Sequence, residues 1–444
     1  MRSLYNFCFW IFFLITSPYY FWRLWRRGDW KKNFRQRFGQ YDTKFKQAIT
    51  NRHVIWLHAV SVGETNVCVH LLNVLMPQLP NVKMVVSTTT TTGMAELVKR
   101  LPPSVSKIYY PIDRHRFVSR ALTLIRPDAM ILTESEIWPN FIWRARSLRT
   151  PLFLVNARLS DRSYPRYKRF GFLFRELFGS FTAVGAQNER DAGRLRELGC
   201  HPDAVTVVGN LKFDAALAGG RKSLDVNPLL AQLGVGPEVP VLVAGSTHDG
   251  EEKILAEMFL RLRRKFPNLF LVLVPRHFER AREVERELRA AGVRFFLRSE
   301  IRPTTKLAAD SLHCLLVNTT GELVSFYARA TVVFVGKSLT AKGGQNPIEP
   351  AALGKPTVFG PNMQNFSDVV RILAAGKGVA QVADAAELER TLAELLANPA
   401  RREELGRNAA RVVNENTGAI ARTVDMILRH LEGGDLYVVR PPAS

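Results

Sequence analysis

Two series of short aliphatic and β-branched runs, separated by longer amphipathic stretches, limit this chain more than any other feature. The first series comprises VIWLHAV (54–60), KMVVST (83–88), AMILTE (129–134), PLFLVNAR (151–158) and AVTVVGN (204–210). The second comprises VPVLVAGST (239–247), LFLVLVPR (269–276), HCLLVN (313–318), TVVFVG (331–336) and PTVFG (356–360). Runs this continuous belong to strands buried on both faces, and the helical patterns between them supply the covering layers. The expected fold class is α/β, with parallel, doubly wound sheets. Between residues 215 and 239 the series breaks into AALAGGRKSLDVNP and LGVGPEVP, rich in glycine, proline and polar residues, which marks a link between two domains. A length of 444 residues gives each domain a full core at roughly 150 residues per domain. The expected division is an amino-terminal segment 1–37, a first domain 38–214, the link 215–239, a second domain 240–432 closed by the helical pattern Ala385–His430, and a tail 433–444. Doubly wound domains bind ligands beyond the carboxyl ends of their strands, and two that face each other would bring both sets of ends to one cleft.

The amino-terminal segment reads differently. Leu4 to Trp22 carry no charge, and Asn6, Thr16, Ser17 and Pro18 interrupt an otherwise apolar run close to the ~20 residues that cross a bilayer. Tyr19, Tyr20, Phe21, Trp22 and Trp25 crowd its carboxyl end, where an interfacial belt would lie. Seven Lys/Arg residues follow between Arg23 and Arg37 against one acid, Asp29. The expectation is a single membrane anchor with a basic collar and everything after it on the cytoplasmic side; a helix lying in the membrane surface is the alternative. A cleaved signal peptide is disfavoured because no small-residue cleavage site is present and the positive charge lies on the wrong side.

Candidate chemistry lies at the strand ends. In HAVSVGETN (58–66) a strand turns through Gly63 into a helix whose first turn carries Glu64. A glutamate there complements the helix dipole, and the same position suits a general base aimed at a ligand. ILTESEIWPN (131–140) places Glu134 and Glu136 after a buried strand; alternation along an extended segment would let only one of them face the ligand. VGNLKFD (208–214) adds Lys212. In the second domain, Ser246 and Thr247 precede a helix start in AGSTHDGEE, Arg276 and His277 end a strand in LVPRHFER, and Gly321 and Glu322 open a helix in NTTGELVSFY. In GKSLTAKGGQNPIEP, Gly343 and Gly344 permit a tight loop, and Pro347 suits the first turn of a short helix carrying Glu349, which can accept bonds from a ribose diol. Together these loops outline a nucleotide-sized pocket.

The remaining features narrow the class. Walker A, paired-glycine dinucleotide, H-E-x-x-H, nucleophile-elbow and diphosphate–metal motifs are all missing, so the expectation is chemistry with no cofactor and no metal. The four cysteines (Cys8, Cys68, Cys200, Cys314) are too scattered for a disulfide framework or zinc site and are expected to be reduced. A formal charge of +22 implies an anionic partner. A membrane-tethered nucleic-acid-binding protein would satisfy the charge but would leave the strand-end loops unexplained; no nucleic-acid partner is expected.

These segments, taken in order, resemble the 3-deoxy-D-manno-octulosonic acid (Kdo) transferases of lipopolysaccharide assembly. The resemblance is carried by SVGE (61–64), TESEIWPN (133–140), VNARLSDRS (155–163), GNLKFD (209–214), GSTHDGEE (245–252), VPRHFER (274–280), TGEL (320–323) and GGQNPIEP (343–350). It implies a B-type glycosyltransferase fold of two facing Rossmann-like domains with a membrane anchor at the bacterial inner membrane. It implies inverting, metal-independent transfer of Kdo from CMP-Kdo to the 6′-hydroxyl of a tetraacylated lipid A precursor. Glu64 would be the base, supported by Glu134, Glu136 and Lys212. CMP-Kdo contacts would fall on Pro275, Arg276, Thr320, Gly321, Glu322, Gly343, Gly344, Gln345 and Asn346. Two positions depart from the family pattern: Thr320 stands where methionine is common, and Gln345, which carries no charge, where histidine is common. A UDP-sugar enzyme of the same fold, acting in lipid A or peptidoglycan synthesis, is the rival reading. The basic, aromatic stretch RSYPRYKRFGFLFR (162–175), with Arg166, Lys168 and Arg169, is expected to meet anionic lipid and the lipid A precursor.

Overall fold

A computed structural model of the chain describes residues 2–26, 33–161, 163–218, 224–432, 436 and 438–439. Part of the basic collar (27–32), Arg162, part of the link (219–223) and most of the tail therefore lie outside the described residues. The chain forms two compact units. One combines everything up to Ala215 with everything from Thr417 onward, and the other is Ala216–Asn416.

The first unit is built on strands β1 (His53–His58), β2 (Val82–Thr88), β3 (Ser106–Tyr109), β4 (Ala129–Thr133), β5 (Leu152–Ala157), β6 (Ala183–Ala186) and β7 (Val205–Val207). They form one parallel sheet in the order β3-β2-β1-β4-β5-β6-β7. Its two faces explain the continuous apolar runs. Trp56, Val85, Met130 and Leu154 pack into one core, while their neighbours Ile55, Leu57, Val86, Ile131 and Phe153 pack into the other. Alternate residues thus enter opposite cores, and none is left for solvent.

The second unit repeats the scheme with β8 (Val241–Thr247), β9 (Phe270–Pro275), β10 (Phe295–Leu297), β11 (Cys314–Leu316), β12 (Val332–Val335), β13 (Thr357–Phe359) and β14 (Ala380–Gln381). The order is β10-β11-β9-β8-β12-β13-β14, again all parallel. In each sheet the winding reverses beside the first strand, between β1 and β4 and between β8 and β12. A crevice opens at the carboxyl ends of strands where winding reverses, and ligands bind there.

Three expectations need correction. First, the last helix, Ala419–Leu431, does not close the second domain. Its Ala419, Ile420, Val424, Ile427 and Leu428 enter the same core as Ile55, Leu57 and Phe153 of the first sheet. An amphipathic stripe announces that a helix is covered, not by which sheet. Second, strands β3, β6, β10 and β14 were not legible: each has two to four residues, and AVGA (183–186) is too small in side chain to stand out.

Third, the single transmembrane anchor is overturned, and with it the localisation built upon it. Residues Arg2–Arg26 do form one helix, with Pro18 inside it, yet among the described residues no helix is long and apolar enough to cross a membrane. Tyrosines, tryptophans, Asn6, Thr16 and Ser17 dilute its aliphatic content. Its first turns are instead tied to the first unit. Tyr5 donates its hydroxyl to Asp113 at 2.8 Å and sets its ring edge-on to Trp143, and Asn140 donates to the Asn6 side chain at 2.9 Å. Arg37, from the far end of the collar, lies over the Tyr109 ring at 4.3 Å.

Candidate active site

The reversal between β1 and β4 gathers the expected residues of the first unit. β1 runs into Ser61, which caps the helix Val62–Leu75 in a capping box: the Ser61 side chain accepts from the Glu64 amide, and the Glu64 carboxylate reaches back to the cap. The residue that closes the helix start is therefore also the one at the crevice, where the base reading of Glu64 requires a carboxylate. Its Oε2 accepts from the Val60 amide at 2.9 Å and from Thr133 at 3.1 Å, and its Oε1 accepts from the Ser61 hydroxyl at 2.7 Å. The Thr133 hydroxyl also lies 2.9 Å from the His58 carbonyl. It has one proton, so turning to that carbonyl frees a lone pair on Glu64.

Burial raises the Glu64 carboxyl above its ordinary value, and the charge of Glu134 raises it further, against the bonds from Val60, Ser61 and Thr133. The helix dipole alone suggested an acid held ionised; desolvation acts in the other direction. A carboxyl moved toward neutrality is a stronger proton acceptor once ionised, as a base requires. His58, by contrast, is fully buried beside Tyr110 and pushed down to about 3, chiefly by burial, so it stays neutral.

Glu134 and Glu136 do not alternate as on a strand. Glu134 sits at φ 54, in the left-handed region, and the Glu136 amide turns back to the Thr133 carbonyl. Because the segment is a turn, both carboxylates act on Glu64 or are acted on by it. Glu134 accepts from Arg158 at 3.0 Å and pairs with Lys212 at 3.3 Å. Lys212 opens the helix Leu211–Ala218, held by a run of buried amides. Asn156 accepts from the Leu211 amide, Gln187 bonds the Asn156 carbonyl and accepts from Asn210, and Asn210 accepts from the Lys212 amide. Arg158 and Thr133 were absent from the sequence expectations. Arg158 had a signal in VNAR, a cation just past a buried strand; Thr133 reads only as the strand's last residue.

Glu136 accepts from the Trp138 indole at 2.8 Å and is pushed up to about 7, first by burial and then by Glu64. A carboxyl whose folded value lies above its ordinary 4.5 stabilises the fold while protonated, and that contribution is lost as pH rises through about 7. Glu136→Gln cannot ionise and keeps an acceptor for Trp138. Its stability relative to the native chain is expected to improve by on the order of 3 kcal/mol from about pH 4 to about pH 8 in denaturant unfolding. A difference that stays flat with pH would contradict this environment.

In the second unit the expected loops all leave the same edge of the sheet. Ser246, at φ 55, forms a bulge in β8, while Thr247 is buried and donates to Glu252 at 3.0 Å, which removes it from ligand contact. Pro275 ends β9, and Arg276 is exposed beyond it. Thr320 and Gly321 are exposed; Glu322 pairs with Arg298 at 2.7 Å and accepts from the Thr319 hydroxyl. Gly343 and Gly344 are in the left-handed region at φ 124 and 70, as the tight loop requires. Gln345 follows, half-buried, and Asn346 donates to Glu349 at 3.1 Å on the short helix Ile348–Ala352. Burial raises the Glu349 carboxyl, opposed by Asn346 and by Arg276. Asp249, Glu283 and Glu287 cluster on the surface nearby, but Arg280 already ion-pairs with Asp249 and Glu283.

Two parallel sheets of seven strands with loops of this kind form the fold of the GT-B glycosyltransferases. The model of the 3-deoxy-D-manno-octulosonic acid transferase (kdotransferase) family matches residues 32–215, and that of the group 1 glycosyl transferases matches residues 253–412. The 3-deoxy-D-manno-octulosonic acid transferase of Haemophilus influenzae is 32% identical over 85% of this chain and 87% of its own length, and that of Bordetella pertussis is 32% identical over 91% and 94%. The chain belongs to the 3-deoxy-D-manno-octulosonic acid transferase family. A solved structure of a putative UDP-N-acetylglucosamine 2-epimerase from Listeria monocytogenes covers 86% of this chain and 98% of its own at TM-score 0.58; at 14% identity it shares the fold alone.

Proposed function

We propose that this protein transfers Kdo from CMP-Kdo to the 6′-hydroxyl of a tetraacylated lipid A precursor, with inversion and without a metal ion. Family membership supports the sugar and the reaction class. The observation that carries the mechanism is Glu64: a shielded carboxylate at the crevice of the first sheet, raised toward neutrality, with one oxygen released when Thr133 turns to the His58 carbonyl. In the proposed step Glu64 takes the acceptor's hydroxyl proton while that oxygen bonds to the anomeric carbon. The carbon–oxygen bond to phosphate breaks, and CMP leaves with the bonding electrons. One base suffices because no sugar–enzyme bond forms. Arg276 and helix amino ends of the second unit supply positive potential for the phosphate as it departs, while Lys212 balances the charge of Glu134 beside the base.

The test is mass spectrometry of the product formed from CMP-Kdo and a lipid A precursor, with and without chelator, and with CMP or UDP as competitor. A product heavier by one Kdo at its 6′ position, unchanged by chelator and suppressed by CMP, is expected. Loss of activity on chelation would overturn the metal-free reading, and stronger inhibition by UDP would favour the UDP-sugar rival.

The positive charge suits an anionic glycolipid acceptor. Arg166, Lys168 and Arg169 lie on the helix Tyr164–Arg169, followed by exposed Phe170 and Phe172. Lys168 is paired with Glu197 at 3.0 Å, which leaves the two arginines as the stronger contributors. Replacing all three by glutamine is expected to weaken binding to vesicles containing an anionic glycolipid by about thirtyfold at low salt, the ~2 kcal/mol of two arginines at near 1 kcal/mol each. Unchanged binding would remove this surface from acceptor recognition.

A further inference from the structure

The second sheet holds a cation that none of the expected donor contacts includes. β8 and β12 are the neighbours between which its winding reverses, with Val335 paired to Gly245. Just beyond them the two chains touch backbone to backbone. The Gly336 amide donates to the Gly245 carbonyl at 2.8 Å, and a Cβ on Gly336 would lie 2.5 Å from the Thr247 Cα. On either side of that contact sit Ser246 and Lys337, both at φ 55, a conformation that residues other than glycine seldom adopt. Unusual backbone held in place at a crevice is a marker of function.

What the loop offers a ligand is set by Glu251. This buried carboxylate accepts from the amides of His248, Lys337, Ser338 and Leu339 at 2.7–2.9 Å. The backbone donors at the crevice are therefore consumed, and recognition falls to side chains. The Lys337 side chain runs toward the glycine pair: its Cε would be 3.6 Å from a Cβ on Gly343, and its carbonyl accepts from the Gly344 amide. Its ammonium has no ion-pair or hydrogen-bond partner among the described residues, and neither has the guanidinium of Arg276. His248 contributes a buried Nδ1, also unpartnered among the described residues, and stands 6.3 Å from the His277 ring. β9 and β12 flank β8, so Arg276 and Lys337 leave strands about 10 Å apart. That spacing provides two separate cationic points.

A CMP-sugar of the Kdo type has two anionic groups on one anomeric carbon, the phosphodiester and the C1 carboxylate. We infer that Lys337, with Ser246 and His248 beside it, is the subsite for the sugar carboxylate, while Arg276 serves the phosphate. This rests on the CMP-Kdo reading above and adds the residue that distinguishes an acidic sugar from a neutral one. A nucleotide without sugar should not sense Lys337.

The experiment compares KM for CMP-Kdo with the inhibition constant of CMP, in the full chain and in Lys337→Gln. The expected result is a KM raised about tenfold or more, with CMP inhibition changed less than twofold. Retained CMP inhibition also shows that the variant is folded. Equal weakening of both ligands, or no change in either, overturns the carboxylate subsite. Should Lys337→Gln fail to fold, the native enzyme decides: a CMP-Kdo analogue with an amide at C1 is expected to bind at least tenfold more weakly than CMP-Kdo, and equal binding overturns the inference. A native enzyme that prefers UMP to CMP overturns the donor reading and the inference with it; a CMP preference with a flat response at Lys337 overturns the inference alone.

Discussion

Glu64→Gln is expected to lower Kdo transfer by about 10³-fold, the loss that follows if Glu64 is the positioned base, and to leave CMP affinity unchanged. Glutamine is the informative replacement because of the capping box. It can still reach back to the amide at the helix start, so the helix Val62–Leu75 keeps its cap, while the oxygen that would take the proton loses its basicity. Glu64→Ala is expected to abolish transfer as well, but it also removes the carboxylate half of the capping box while Ser61 stays in place, and it should lower stability by about 1 kcal/mol. Single-turnover rates with saturating donor, paired with thermal unfolding and CMP titration, separate the two effects. Near-normal turnover in Glu64→Gln would reject the base assignment outright.

Lys212→Met is expected to reduce turnover by about 10²-fold, with the acidic limb of the pH–rate profile moved to higher pH. The side chains of Lys212 and Glu134 are only 15% and 12% exposed, so their charges are poorly screened. Glu134 already raises the Glu64 carboxyl; with its lysine gone, one cation fewer opposes that field, and Glu64 holds its proton to a higher pH. Glu134→Gln should move the limb the opposite way, because it removes the anion. Opposite shifts in the two variants cannot come from a general loosening of the fold. Shifts of one sign in both would detach the pair from the base.

Most of the strands that sequence made legible are those in which burial is nearly complete; β7, with Thr206 exposed, is an exception. β1, β4 and β8 read as strands because almost every residue in them is buried, whereas β6 in four small residues and β14 in two carry too little pattern to register. Glu64 was legible from the turn around it, since Ser61, Gly63 and Glu64 spell a helix start directly after a buried strand. Its environment was not: burial and a neighbouring acid outweigh the dipole, and neither is visible in a linear motif. The arrangement of Glu134 and Glu136 failed because alternation holds only while the chain is extended, and a single left-handed residue ends that. Lys337 was overlooked since its significance comes from which strands are adjacent, a fact that chain order conceals. Likewise the helical pattern at the carboxyl end declared its apolar stripe without declaring which core receives it.

That last helix has a consequence for biosynthesis. The first sheet is complete before the second unit has begun to leave the ribosome, yet one of its faces must wait for the final stretch of chain. At bacterial and eukaryotic synthesis rates, making the intervening unit takes about 10–40 s. For that interval a nascent domain presents uncovered apolar surface along the helix Val62–Leu75 and β6, where the last helix packs. A chaperone able to hold that surface becomes part of how this enzyme is made, and tags or truncations that disturb residues 419–431 should harm its yield well before they touch its chemistry.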